Sequence, residues 1–299
     1  MISIPGYPAF TNVRPIDRGC SGDRKFYVET QDGTRLLLRI SDASEHDRRK
    51  TMFDRLARVA ALGVPMPQPV AFGTCEDGQS VYQLLTWCEG NNLAEALQSL
   101  SAAEQYRLGV ASGDILRTIH ALPAPDTLED WYTRYTAQND ARIAGFAQCG
   151  TAIPGGEALL RYYDENKGLL RGRPQCFHHG DFHTENLLLS GQHTLSVIDW
   201  ELLDYDNYGD PWEEFNRINC VDLAPYFTSG QIDGYFGGNP PEAFWPLLAL
   251  YLTAGTMMLV TWAHFLQRDQ LPYATQNAAD VLAWFHRGDD CIPIWYAKP

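Results

Sequence analysis

The sequence predicts an α+β protein of two lobes, a small antiparallel β N-lobe and a larger, mainly helical C-lobe. Three observations carry this reading. β-rich runs separated by turn signals fill the first 85 residues, helical patterns dominate beyond residue 90, and a short segment at Thr86–Gly90 divides the two. The lobes are therefore expected at residues 1–87 and 88–299.

Lys25–Thr30 and Arg35–Ile40 read as strands joined through Asp32-Gly33, a strong hairpin signal. Apolar residues at 52, 53, 56, 59, 60 and 62 predict a helix over 45–62, ended by Gly63 and Pro65. Two more strands, Pro69–Thr74 and Ser80–Leu85, flank the Glu76-Asp77-Gly78 turn, giving the order β-β-α-β-β. In the second lobe Ser101-x-x-Glu104 is a capping box that opens a helix to about Leu122, and helical patterns recur near 129–148 and 156–170. Short strands follow around Leu187–Leu189 and Leu195–Ile198, before a helical end. The run Phe244–Phe265 has no charged residue and is long enough to span a bilayer. Its Thr, Gly and Pro content and lack of flanking basic residues predict the central helix of a soluble core instead.

The chain has 299 residues, 45% apolar and 20% charged, enough to bury a core without staples. Its net charge of −14 argues against nucleic-acid binding. That charge is uneven: residues 1–60 carry +3 and residues 199–299 carry −10, a polarity that suits two substrates of opposite sign. The seven cysteines are an odd number with no C-x-x-C pair, so neither a disulfide framework nor a zinc ribbon is expected. With no signal peptide read at the N-terminus, a reducing cytoplasm is the expected location.

The densest polar cluster runs His178-His179-Gly180-Asp181-Phe182-His183-Thr184-Glu185-Asn186, and Val197-Ile198-Asp199-Trp200 follows. An Asp, an Asn five residues later, and an Asp closing a short apolar strand suit divalent-metal phosphoryl transfer. One carboxylate handles the attacking hydroxyl; an amide oxygen and the second carboxylate hold Mg²⁺ against nucleotide phosphates, needing only about two protein ligands.

The string HGDFHTEN with IDW resembles the aminoglycoside phosphotransferase family, small-molecule relatives of the protein kinases. The resemblance implies a protein-kinase-like fold in which Asp181 is the catalytic base, Asn186 and Asp199 are the metal ligands and His179 supports the loop. Gly209-Asp210-Pro211 resembles a further family motif in which Asp210 is structural and bonds the catalytic loop. The Gly19-Cys20-Ser21-Gly22-Asp23 stretch resembles the phosphate-covering loop, so Ser21 and Gly22 are expected against the nucleotide. Arg39 stands where the kinase lysine is expected on the third strand, as in choline-kinase relatives, and can grip phosphate bidentately. Its carboxylate partner is expected on the first helix, where the register offers Met52; Glu45, Asp47 and Asp54 are nearby substitutes. The base is expected at the hinge, on backbone groups of Thr86.

The implied reaction moves the γ-phosphate of ATP or GTP to a hydroxyl of a small cationic acceptor of the aminoglycoside type, with no nucleic acid or membrane as partner. Glu201, Asp204, Asp206, Glu213, Glu214, Asp289 and Asp290 are candidates for an acidic acceptor lining, and Trp200, Tyr205, Tyr208 and Trp212 for an aromatic box. Two alternatives stand beside this reading: a nucleotide-binding pseudokinase, and a metallohydrolase built on His178, His179 and His183. Gly145-x₄-Gly150-Thr151 lacks the lysine of a P-loop, and no G-x-S-x-G elbow occurs.

Overall fold

Hairpin chemistry builds the N-terminal sheet. Asp32 accepts the Thr34 N–H in the turn and Gly33 takes φ +82°, so strands β2 (Arg24–Glu29) and β3 (Arg35–Asp42) pair antiparallel, with Tyr27 opposite Leu37. An edge strand β1 (Asn12–Pro15), which hydrophobic patterning does not predict, pairs with β2; β4 (Pro69–Cys75) and β5 (Ser80–Thr86) complete the order β1-β2-β3-β5-β4. Helix α1 (His46–Ala60) packs on this sheet and buries Met52, Leu56 and Val59. The computed structural model describes residues 4–5, 10–17, 22–149, 154–191, 193–200, 207–218, 224–285 and 291–299.

The chain forms two compact units, residues 1–96 with 179–207, and residues 97–178 with 208–299. The first unit thus takes in the polar cluster from His179 onward as well as the N-terminal sheet. Its second sheet is β6-β8-β9, where β6 (Asn91–Asn92) pairs with β8 (Leu187–Ser190), and β8 with β9 (Thr194–Val197).

The second unit is helical: α3 (Ala102–Ile119), α4 (Trp131–Gln148), α5 (Gly156–Asn166), α6 (Pro225–Phe236), α7 (Phe244–Phe265) and α8 (Leu271–Trp284), while a one-turn α2 (Leu93–Leu97) lies at the boundary. The expected capping box is formed, with the Ser101 N–H donating to Glu104 at 2.9 Å. Helices α3 and α6 cross at backbone contact because glycines face each other. A Cβ on Gly109 or Gly113 would stand 2.1 Å from the carbonyl oxygens of Phe227 or Gln231, and one on Gly234 would stand 2.1 Å from that of Val110. Helix α7 passes a length-and-hydropathy test for a membrane span, yet most of it is buried inside the fold. Leu247, Leu250, Tyr251 and Met257 join Trp131, Tyr135 and Tyr163 in one core cluster. A two-stranded ribbon, β7 (Cys176–Phe177) with β10 (Tyr208–Gly209), completes this unit.

Candidate active site

The segment from His179 to Asn186 is held by its own side chains. The His179 ring accepts the Asp181 N–H at Nδ1 (3.2 Å) and donates from Nε2 to the Ile198 carbonyl (3.0 Å), so one imidazole ties the loop to the residue before Asp199. Trp200 packs edge-on against that ring, centroids 4.4 Å apart. With both His179 nitrogens used internally, the three histidines of a hydrolytic zinc site are not brought together here.

Asn186 is buried, and its amide nitrogen donates to the Asp181 carbonyl at 2.9 Å and to the Asp181 carboxylate at 3.1 Å. His183 caps the following turn by accepting the Glu185 N–H at Nδ1, and its Nε2 stands 3.3 Å from the Asp181 carboxylate. The side chain of Asp181 is thus aimed by two neighbours while keeping partial exposure. With its nitrogen committed, Asn186 has Oδ1 as the atom that can ligate a cation.

Asp199 is placed by the β8–β9 ladder. Leu187 pairs with Val197, and the next bond, Ile198 N–H to the Asn186 carbonyl at 2.9 Å, brings Asn186 and Asp199 to the same end of the hairpin. Asp199 has φ +61°, the left-handed region that costs an L-residue strain and that persists where surroundings over-determine it. An amide oxygen and a carboxylate at one hairpin end form a hard oxygen donor set, which fits Mg²⁺.

Arg39 lies buried on β3, and its partner is a carboxylate that helix patterning does not find. Asp23 receives Arg39 Nε at 3.2 Å and Nη2 at 2.6 Å, Arg49 Nη2 at 2.6 Å and the Ser41 hydroxyl at 2.8 Å. Helix α1 contributes a second cation rather than an acid, while Met52 only accepts a weak 3.6 Å contact from Arg49. Burial pushes the Asp23 carboxyl up, but the Arg39 guanidinium with the hydrogen bonds and Arg49 outweighs this and holds it below the ordinary 3.8. Asp23 thus bridges two guanidiniums, one from β3 and one from α1. The register of the predicted hairpin could have found this pair, since Arg24 opposes Ile40 and the next pair outward is Asp23 with Ser41.

Gly22 sits in open space, where a Cβ would meet nothing within 4 Å, and Ser21, with Gly19 and Cys20, lies outside the described residues. Thr86 ends β5; its N–H donates to the Gln68 carbonyl at 2.9 Å and its hydroxyl accepts the Gln68 N–H at 2.8 Å. The Trp87 N–H is likewise given to the Arg35 carbonyl at 3.1 Å.

In the second unit Asp210 is fully buried and bonded by Arg173 at 2.5 and 2.8 Å, by the Tyr251 hydroxyl at 2.6 Å and by the Trp212 N–H at 3.0 Å. These bonds tie Asp210 into the helical unit. The aromatic candidates are packing residues too: Trp212 lies under Arg173 at 3.7 Å and Tyr208 packs edge-on to Phe177. Tyr205, Glu201, Asp204, Asp206, Asp289 and Asp290 lie outside the described residues. This unit also holds a small cleft of about 50 Å³, lined by Asn216, Arg217, Leu252, Thr256, Asn277 and Trp284. No carboxylate is among its described lining residues.

A family model described as the phosphotransferase enzyme family matches residues 12–245. No curated protein matches the chain in sequence. Among solved structures, a thermostable mutant of aminoglycoside phosphotransferase APH(4)-Ia in ternary complex with ADP and hygromycin B is similar at 18% identity and TM-score 0.62, covering 92% of this chain and 94% of that one. An aminoglycoside phosphotransferase from Alicyclobacillus acidocaldarius has 14% identity and TM-score 0.62, covering 92% and 90%. The amicoumacin kinase hAmiN, in complex with AMP-PNP, Ca²⁺ and Ami, has 14% identity and TM-score 0.60, covering 90% and 88%. At these identities the likeness shows the fold, which is that of the kinase-like small-molecule phosphotransferases.

Proposed function

Because the chain belongs to the phosphotransferase enzyme family, we propose that it transfers the γ-phosphate of ATP or GTP to a hydroxyl of a small cationic molecule of the aminoglycoside type. The observation that carries this reading is the Asp181–Asn186 bond with Asp199 at the same hairpin end.

Asp181 orients the acceptor hydroxyl and takes its proton as oxygen attacks the γ-phosphorus and the bridging bond to the nucleoside diphosphate breaks. Asn186 Oδ1 and the Asp199 carboxylate would hold Mg²⁺, which when bound neutralises the phosphate charge that develops in transfer. Arg39, whose guanidinium can grip phosphate bidentately, holds the phosphates, and the loop at Ser21 and Gly22 covers them. The base docks at the hinge beside Thr86, where reading falls to backbone groups beyond the Thr86 and Trp87 amides. The −10 balance of residues 199–299 supports a cationic acceptor. The described cysteines 75, 88, 149, 176 and 291 are free thiols, in keeping with a cytoplasmic enzyme.

The test is a coupled assay of nucleoside diphosphate release with Mg²⁺, running ATP and GTP against aminoglycosides, macrolides, choline and sugars. Acceptor-stimulated turnover is expected, reduced about a thousandfold in Asp181→Asn while nucleotide affinity changes little. Equal turnover in that variant would overturn the role of Asp181. Nucleotide binding without turnover on any acceptor would favour the pseudokinase.

A further inference from the structure

A second set of donors lies in the other unit and takes no part in the proposed transfer. His120 follows α3, Cys176 lies in β7, and His178 comes directly after that strand. One nitrogen of each histidine and the Cys176 sulfur all lie within 4.8 Å of one another. His178 is only 6% exposed, and its Nε2 is buried with no hydrogen-bond partner among the described residues. An orphaned nitrogen of this kind is costly unless a ligand completes it. Both His120 nitrogens have hydrogen-bond partners, Nδ1 the Tyr235 hydroxyl at 2.9 Å and Nε2 the Glu214 carboxylate at 2.9 Å, so a cation would take the place of one of these contacts.

We propose that His120, Cys176 and His178, completed by Glu214, bind one Zn²⁺ as a structural site. Two imidazoles, a thiolate and a carboxylate are a tetrahedral zinc donor set, and soft sulfur disfavours Mg²⁺ and Ca²⁺. Zinc between His120 Nε2 and Glu214 leaves the Nδ1–H to the Tyr235 hydroxyl, an outer partner that fixes the ring. The Cys176 proton leaves to solvent as the cation binds.

The surroundings hold these groups in place. The glycine-to-backbone crossing of α3 and α6 brings His120 to Tyr235. Gly209, opposite Cys176 in the ribbon, is the one residue type that fits beside His178, because a Cβ there would stand 2.7 Å from the imidazole. His178 lies three residues before Asp181, so the ion would fix the point from which the catalytic loop departs.

The experiment uses the full chain, stripped with a chelator and titrated with Zn²⁺ and with Co²⁺ alone. About one equivalent of Zn²⁺ should survive dialysis and raise the unfolding temperature by about 5 °C. Co²⁺ should give a sulfur-to-metal charge-transfer band in the near ultraviolet. Cys176→Ser should lose the band, His178→Asn should weaken zinc retention at least tenfold, and Asp199→Asn should keep both. Absence of the band in the unmutated chain overturns the proposal without any variant. So does a band that persists in Cys176→Ser and disappears in Cys291→Ser.

Discussion

Each unit buries an ion cluster, and the two are built from different partners. In the first unit Asp23 bridges Arg39 and Arg49; in the second, Asp210 pairs with Arg173, Glu214 meets His120 and Glu213 stands 3.7 Å from His178. Burial weakens screening by water and salt, so the charges within each cluster are strongly coupled. Their surroundings differ as well. Asp23 and Arg39 stand beside the loop and strand proposed to hold nucleotide, whereas Asp210 is locked by Tyr251 and Trp212 inside a helical core. One cluster is available to a ligand, and the other holds the fold together.

The largest expected effect that divides them is on stability. Asp210→Ala leaves the Arg173 guanidinium buried with no carboxylate and should cost about 3–5 kcal/mol in chemical denaturation. Nucleotide KM, measured where the variant is still folded, should stay within about twofold. A large rise in KM at full fold would show that the second cluster also serves the nucleotide.

The next test uses pH. The Asp23 carboxyl is held below its ordinary value in the folded chain, so its contribution is fully present above the unfolded pKa, roughly 3.9, and is lost as pH falls through the folded value. Asp23→Asn should therefore cost about 3 kcal/mol at pH 7, and its gap from the unmutated chain should close as pH falls toward 2. A gap independent of pH would mean that Asp23 acts by packing and not by charge. A smaller effect is expected from Arg39→Lys, which keeps the charge and loses the paired Nε and Nη2 donors; nucleotide KM should rise about tenfold with kcat nearly unchanged.

Much of this was legible in the sequence, for reasons that follow from chain separation. The hairpin at Asp32-Gly33, the capping box at Ser101 and the Asp181–Asn186 spacing are local, and local chemistry decides them. Helix α7 was legible as core from its Thr, Gly and Pro content and the lack of basic residues flanking its uncharged run. Strand β1 was not, since four residues ending in Pro15 carry no periodic signal and owe their form to pairing with β2. The Asp23 partnership was hidden for a different reason: the expected acid was sought on α1, while the pair is set by hairpin register across 16 residues. The Arg173 and Tyr251 bonds to Asp210 span 37 and 41 residues and depend on how helices pack, which spacing does not encode.

The smallest effect is at the hinge, and it tests whether Thr86 acts through its side chain. Its hydroxyl accepts the Gln68 N–H and its own N–H is given to the Gln68 carbonyl, so both groups stitch β5 to the segment before β4. Thr86→Val keeps the shape and the strand preference and deletes only the hydroxyl acceptor. The Gln68 amide is solvent-accessible enough to be rehydrated, which limits the loss to about 0.5–1 kcal/mol. Nucleotide KM for ATP and for GTP should move by less than about twofold, because base reading at a hinge uses backbone groups that the substitution leaves in place. A change confined to one nucleotide would instead make the hydroxyl a base-reading group. That result would move part of the ligand recognition from the charged cluster at Asp23 to the neighbouring strand β5, where Thr86 pairs with Leu36, three residues before Arg39 on β3.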